Sequence, residues 1–338
     1  MFFWLQPSLE ELLASPRTNG TALLLYGPPG LGLDALALSF AAALLCEQSG
    51  GKKPACGQCP ACGWWSQGAH PDFRRVQPAA LADEGAADGA EPAGTRAGAK
   101  PSEVIRIDQI RALETFLSVG THRQGRRIVQ IDPADRLNTE SANALLKTLE
   151  EPLPDTVFLL VTDRVQGLLP TIRSRCIRKP VVPPRFSDAV QWLSAEAALP
   201  HDEAERWLRA SHGRPLEALE RAKAASDATH RIALEALVAL PNTGWSRASE
   251  QLAPLGLVAW VPLLADWVDD LVRACFSLPA GVFPQHQGRL ADLARRCDPV
   301  KVTGFQQWLA REHAGLRHPV NPRQASERIV MAYCDCLQ

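Results

Sequence analysis

Along the first half of the chain apolar residues come in short unbroken runs, while along the second half they recur every third or fourth position. Ala22 to Tyr26 is an apolar run that meets glycines and prolines and then an Ala/Leu-rich segment from Ala35 to Leu45, which predicts strand, loop and helix in succession. Two further runs, "RRIVQID" ending at Asp132 and "TVFLLVT" ending at Thr162, each follow a helix-like segment. Buried strands alternating with helices predict a parallel sheet with helical crossovers. The prolines of "VVPPRFSD" read as a linker, and beyond it strand patterns cease. In "LVAWVPLLADWVDDLVRACF" the spacing puts Trp260, Leu264, Trp267, Val268 and Leu271 on one helix face, with Asp269 and Asp270 on the other. These tryptophans read as core packing, although such a face also suits contact with sister subunits.

Composition narrows the class. A chain of 338 residues exceeds the usual single core, and 46% hydrophobic with 22% charged residues describes an ordinary globular protein. The net charge of -1 excludes a strongly basic nucleic-acid binder. "MFFWLQPSLEELL" lacks a basic leader, and the longest apolar run, "ALALSFAAALLC", is too short to cross a bilayer, so the expected location is cytoplasmic. The Ala-, Gly- and acid-rich stretch 78–101 has no apolar period and reads as a surface insertion without chemistry.

The candidate chemistry begins with "LLLYGPPGLGLDA". Against the phosphate-loop pattern G-x-x-x-x-G-K-[ST], Gly27, Gly30 and Gly32 keep the scaffold, but Leu33 replaces the lysine and Asp34 the hydroxyl. Leu33 neither neutralises a phosphate nor ligates magnesium, and magnesium held by Asp34 itself is the lesser alternative. A carboxylate at about 4 Å repels a phosphate charge by about 4 kcal/mol at an effective dielectric near 20, or about three orders of magnitude in affinity. No tightly bound ATP is expected. In the first turn of a helix, however, Asp34 would meet a favourable dipole. The plainer alternative is a Gly-Pro turn before a helix. At the end of the next strand, Asp132 stands where an aspartate would hold magnesium, while Pro133 takes the place of the glutamate that activates water. Asp132 and Asp135 then read as caps or turn residues.

Of nine cysteines, Cys46, Cys56, Cys59 and Cys62 follow C-x9-C-x2-C-x2-C, which suits a closed structural zinc site. Redox chemistry at one CxxC pair is the alternative. His70, in "AHPDF", could replace a cysteine or form a turn before the next strand. Cys176, Cys275, Cys297, Cys334 and Cys336 read as buried thiols.

"GPPGLG", "IDPADRLN", "SANALLKTLEEP", "FLLVTD" and "LLPTIRSRC", in that order, resemble the bacterial clamp-loader branch of the AAA+ superfamily, over roughly residues 23–180. The resemblance implies an α/β fold: a RecA-like AAA+ P-loop NTPase domain over 1–182 with a zinc module at 46–68, a helical lid over 183–222, and an all-α collar over 223–338 that builds a ring. It implies a subunit of the DNA polymerase III holoenzyme, a DNA-directed DNA polymerase assembly. The implied partners are the ATPase motor subunits tau or gamma, the delta subunit, and, through the assembly, the sliding clamp and primer-template DNA. In that branch the arginine of "SRC" reaches a neighbour's ATP, so Arg175 is the matching position among Arg173, Arg175 and Arg178. Related ATPases carry a nucleotide-sensing arginine in the lid where this chain has Leu216, with Arg214 two residues early. No intrinsic ATPase is expected. The rival readings are a self-sufficient ATPase of the same fold and a zinc-dependent nucleic-acid-binding module. As a helix, "NTESANALLKTLEEP" has Asn138 or Thr139 as N-cap, Ala142, Leu145, Leu146 and Leu149 on one face, and Pro152 closing it.

Overall fold

A computed structural model describes residues 1–15, 20–81, 102–122, 125–151, 153–225, 228–315 and 321–337. The insertion read over 78–101 therefore lies mostly outside the described residues, as does Pro152. The chain divides into two units, Met1–Pro184 and Arg185–Gln338.

The first unit is built on five strands, β1 (Thr21–Tyr26), β2 (Phe73–Val76), β3 (Arg127–Ile131), β4 (Thr156–Thr162) and β5 (Ile177–Pro180), in the order β2-β3-β4-β1-β5. All pairs are parallel, with Leu24 opposite Leu160 and Val157 opposite Ile128. Parallel strands covered on both faces carry continuous apolar runs, which is why "TVFLLVT" is buried at every position. The helices are α1 (Gln6–Ala14), α2 (Leu33–Leu45), α3 (Pro60–Ser66), α4 (Ile107–Ser118), α5 (Thr139–Glu150) and α6 (Pro170–Arg175). On one face Ile110, Leu113, Leu145 and Leu149 of α4 and α5 pack with Val129, Phe158 and Leu160. Helix α2 packs against β1, β3 and β4, with Leu36, Ala37 and Phe40 fully buried.

Helix α6 is followed by β5, which extends the sheet beside β1. Only four residues long and mostly exposed, β5 lacks the apolar run that marks an interior strand. In α5 the N-cap is Asn138, whose Oδ1 accepts from the Ser141 N–H at 2.8 Å, and Leu146, half-buried, packs against the cluster that holds Ala142, Leu145 and Leu149.

The second unit is helical throughout its described residues: α7 (Phe186–Ala197), α8 (His201–Ala210), α9 (Pro215–Ala225), α10 (Ala228–Thr243), α11 (Trp245–Leu252), α12 (Leu257–Cys275), α13 (Gln287–Ala294), α14 (Pro299–Gly315) and α15 (Pro322–Cys336). One buried apolar cluster includes residues from Ala189 to Cys336. Trp260, Leu264, Trp267, Val268 and Leu271 of α12 are fully buried, and Trp267 Nε1 donates to the Tyr333 hydroxyl at 2.8 Å. Truncating either tryptophan to alanine costs about 3–5 kcal/mol. Asp270 does not lie on a solvated face. It is 1% exposed and accepts the backbone N–H groups of Gly281, Val282 and Phe283, at 2.6, 3.0 and 2.7 Å. Asp269 accepts from Gln306 Nε2 at 2.6 Å, and Asp266 pairs with Arg221 at 2.8 Å, tying α9 to α12.

Candidate functional site

The loop between β1 and α2 is held tightly. A Cβ on Gly27 would meet the Val181 carbonyl oxygen at 2.7 Å, so this position excludes any side chain. Gly30 and Gly32 have φ of 74° and 78°, where L residues are strained. Trp4 Nε1, near the amino terminus, donates to the Leu31 carbonyl at 2.9 Å and fixes the loop from outside. Leu33 opens α2 and is 7% exposed, so the side chain at the lysine position is packed inside. Asp34, next in the first turn, is exposed beside the unsatisfied N–H groups that every helix start presents. The backbone could cradle an anion. The side chains supply no cation for it and add one carboxylate.

Across the same end of the sheet, Asp132 is buried and lies 2.8 Å from Arg75 Nη2, a residue at the edge strand β2. It sits in the turn that ends β3, as one of the two sequence readings has it, and is in addition an ion-pair partner. Burial raises the Asp132 carboxyl above its ordinary range, Arg75 opposes that shift, and the charge of Asp34 adds to it. The position that would hold magnesium thus has an internal cation. Asp135, in the turn Ala134–Arg136, accepts the Thr162 hydroxyl at 2.7 Å, as a turn residue would. Pro133 follows Asp132 through a cis peptide bond.

Arg175 ends α6. Its Nη2 lies 2.5 Å from Glu150 Oε1 at the end of α5, and Nη1 donates to the Thr171 carbonyl at 3.0 Å. Arg173 donates to Gln166 Oε1 at 2.8 Å, and Arg178 sits exposed on β5. In the second unit Arg214 pairs with Glu217 at 2.9 Å, and Leu216 is half-buried in α9.

The four clustered cysteines converge. Their sulfurs lie within 4.8 Å of one another, with 3.9 Å between Cys46 and Cys59 and between Cys56 and Cys62. Four thiolates at about 2.3 Å from a tetrahedral zinc would sit about 3.8 Å apart, so the set fits such an ion. The local chain explains the convergence: the N–H groups of Cys56, Gln58 and Cys59 point at sulfurs at 3.4 Å, and Pro60 starts α3 so that Cys62 turns back. Burial works to raise the Cys46 thiol, but hydrogen bonds from Ser49 and backbone N–H groups carry it down to about 6, toward the thiolate. His70 stays out of the cluster. Its Nδ1 accepts the Asp72 N–H at 3.1 Å, and its ring meets Trp64 edge-on, so it forms the turn into β2. Of the other cysteines, Cys176, Cys297 and Cys336 are buried, whereas Cys275 and Cys334 are only half-buried.

Arg75 and Glu150 escaped sequence reasoning. Arg75 is 57 positions from its partner, and an arginine in an edge strand looks like any solvated charge. Glu150 lies in the "SANALLKTLEEP" motif, but the helical spacing there assigns it no partner.

A family model described as DNA polymerase III, delta subunit, matches residues 6–182. The DNA polymerase III subunit delta' of Pseudomonas aeruginosa is 39% identical over 200 residues, covering 59% of this chain and 54% of that protein. The subunit delta' of Escherichia coli is 35% identical over 201 residues, with 59% and 54% covered. The chain thus spans about half the length of these relatives in the matched region. Among solved structures, a DNA polymerase III gamma-subunit-related protein of Thermotoga maritima aligns with a TM-score of 0.48 at 19% identity, covering 99% of this chain and 100% of that one. No helix among the described residues is long and apolar enough to cross a membrane.

Proposed function

The chain belongs to the DNA polymerase III delta-subunit family, and on that premise we propose that it works as a delta-prime-type subunit of a replicative clamp loader, a ring member that turns over no ATP itself and lends Arg175 to ATP held by a neighbour. The observation that carries this reading is a pairing within one unit. Leu33 is packed inside the phosphate loop and Arg75 neutralises Asp132, while Arg175 remains reachable at the end of α6. A guanidinium is permanently charged and planar, and so suits γ-phosphate oxygens. The neighbour would be a tau or gamma motor subunit; together with delta the assembly would open the sliding clamp and place it on primer-template DNA in the cytoplasm. Residues 183–222 would serve as the lid and 223–338 as the collar.

Cys46, Cys56, Cys59 and Cys62 would hold a structural zinc, which supplies folding energy to a module too small for a core of its own. With four thiolates the ion has no open position for water or substrate.

The test is a loader reconstituted with Arg175→Ala. We expect the turnover stimulated by clamp and DNA to fall with the ring intact, and unchanged turnover rejects the role of Arg175. A separate titration of the isolated chain with ATP addresses the self-sufficient ATPase: micromolar affinity with turnover would establish that reading instead.

A further inference from the structure

Arg175 does not stand free at the edge of its unit. The contacts to Glu150 at 2.5 Å and to the Thr171 carbonyl at 3.0 Å occupy both terminal nitrogens of the guanidinium. Glu150 is the last residue of α5 and Glu151 its C-cap. A helix C-terminus already carries partial negative charge, so two carboxylates there are unfavourable until a cation arrives. Lys147, one turn back, is the only basic residue α5 itself places in its last turn. The arginine therefore has an electrostatic reason to rest where it does.

A γ-phosphate makes the same demand on the guanidinium that Glu150 makes. A carboxylate in contact with Arg175 would stand against the phosphate charge, so the two anions compete for one cation. We propose that Glu150 is the parking partner of Arg175, holding the guanidinium on the chain's own surface until the γ-phosphate of a neighbour's ATP displaces it. This rests on the trans role of Arg175 given above. The side chains of Arg175 and Glu150 are 35% and 49% exposed, so release needs no unpacking of the core. Exposed pairs of this kind shift an equilibrium by about two- to five-fold.

The experiment uses the reconstituted loader and compares the wild type, Glu150→Gln, Glu150→Asp, Arg175→Ala and the Glu150→Gln/Arg175→Ala double variant. With no competitor, Glu150→Gln should lower the ATP concentration for half-maximal stimulated turnover by about two- to five-fold, leaving kcat unchanged. Glu150→Asp should restore the wild-type value, and the shift should vanish when Arg175 is alanine. A half-saturation that is unchanged or raised, or a shift that persists without Arg175, overturns the proposal even where Arg175→Ala is impaired. If Arg175→Ala turns over ATP as the wild type does, the trans role itself fails, and parking fails with it.

Discussion

At Gly27–Asp34 the backbone is built and the ligand chemistry is gone, whereas at Cys46–Cys62 the ligand chemistry is complete and little backbone surrounds it. The loop keeps its shape for reasons internal to the unit: Gly27 clears Val181, Trp4 bonds Leu31, and Leu33 fills the interior. None of these contacts involves a phosphate. The cysteine segment has a short helix, α3, and a small cluster in which Cys46, Cys59, Ala61 and Cys62 are buried and Ala55 and Cys56 partly so. One region is shaped by contacts within the unit, and the other brings together four sulfurs that could hold a metal ion.

The largest effect that would sharpen this contrast is on the metal side. Structural zinc held by thiolates contributes on the order of 10–16 kcal/mol of apparent binding energy. Cys59→Ser should therefore lose the metal and loosen the module, seen as zinc content by mass spectrometry and a red-shifted emission from Trp64 and Trp65. Retention of both signals would mean the module has a core of its own and would break the comparison.

Next comes repair of the loop. Leu33→Lys with Asp34→Thr removes one repulsion and adds one attraction, worth at least about three orders of magnitude in ATP affinity by fluorescent-nucleotide titration. Phosphate release should nevertheless stay at background, because Pro133 offers no base and Arg75 occupies Asp132. Turnover in that variant would show that the two substitutions alone had silenced the site.

A smaller effect is expected at Gly27→Val, which forces a side chain against the Val181 carbonyl and should lower stability by about 1–3 kcal/mol in a thermal melt. The smallest concerns pH. The Asp132 carboxyl is raised in the folded chain, so folding binds its proton more tightly than the unfolded chain does. Its contribution to stability is thus greatest below the ordinary carboxylate range and declines as pH rises through that range toward the raised value. Asp132→Asn should remove this decline from melting curves taken across acid pH, and an unaltered slope would assign it to other carboxylates.

What could be read in advance follows the range of the interaction concerned. The loop, the runs ending at Asp132 and Thr162 and the cysteine ladder are local patterns, and each is visible in a window of a dozen residues. Strand β5 is not, since an exposed edge strand has no apolar run and is defined by its partner β1. Asp270 followed the helical period onto the polar side, yet three backbone N–H groups from a later loop give it a reason to be inside. Arg75 and Glu150 were hidden in the same way: each takes its meaning from a side chain remote in sequence.

The close passage of Gly27 beneath Val181 has a mechanical side. Tyr26, at the mouth of the loop, accepts the Val181 N–H at 2.8 Å, and the next residue abuts the Val181 carbonyl, so both polar groups of one peptide segment face the loop. Val181 is the first residue after β5, shortly before the first unit ends at Pro184. The eight residues Gly27–Asp34 are thus pinned to the segment at Val181 by contacts internal to the first unit.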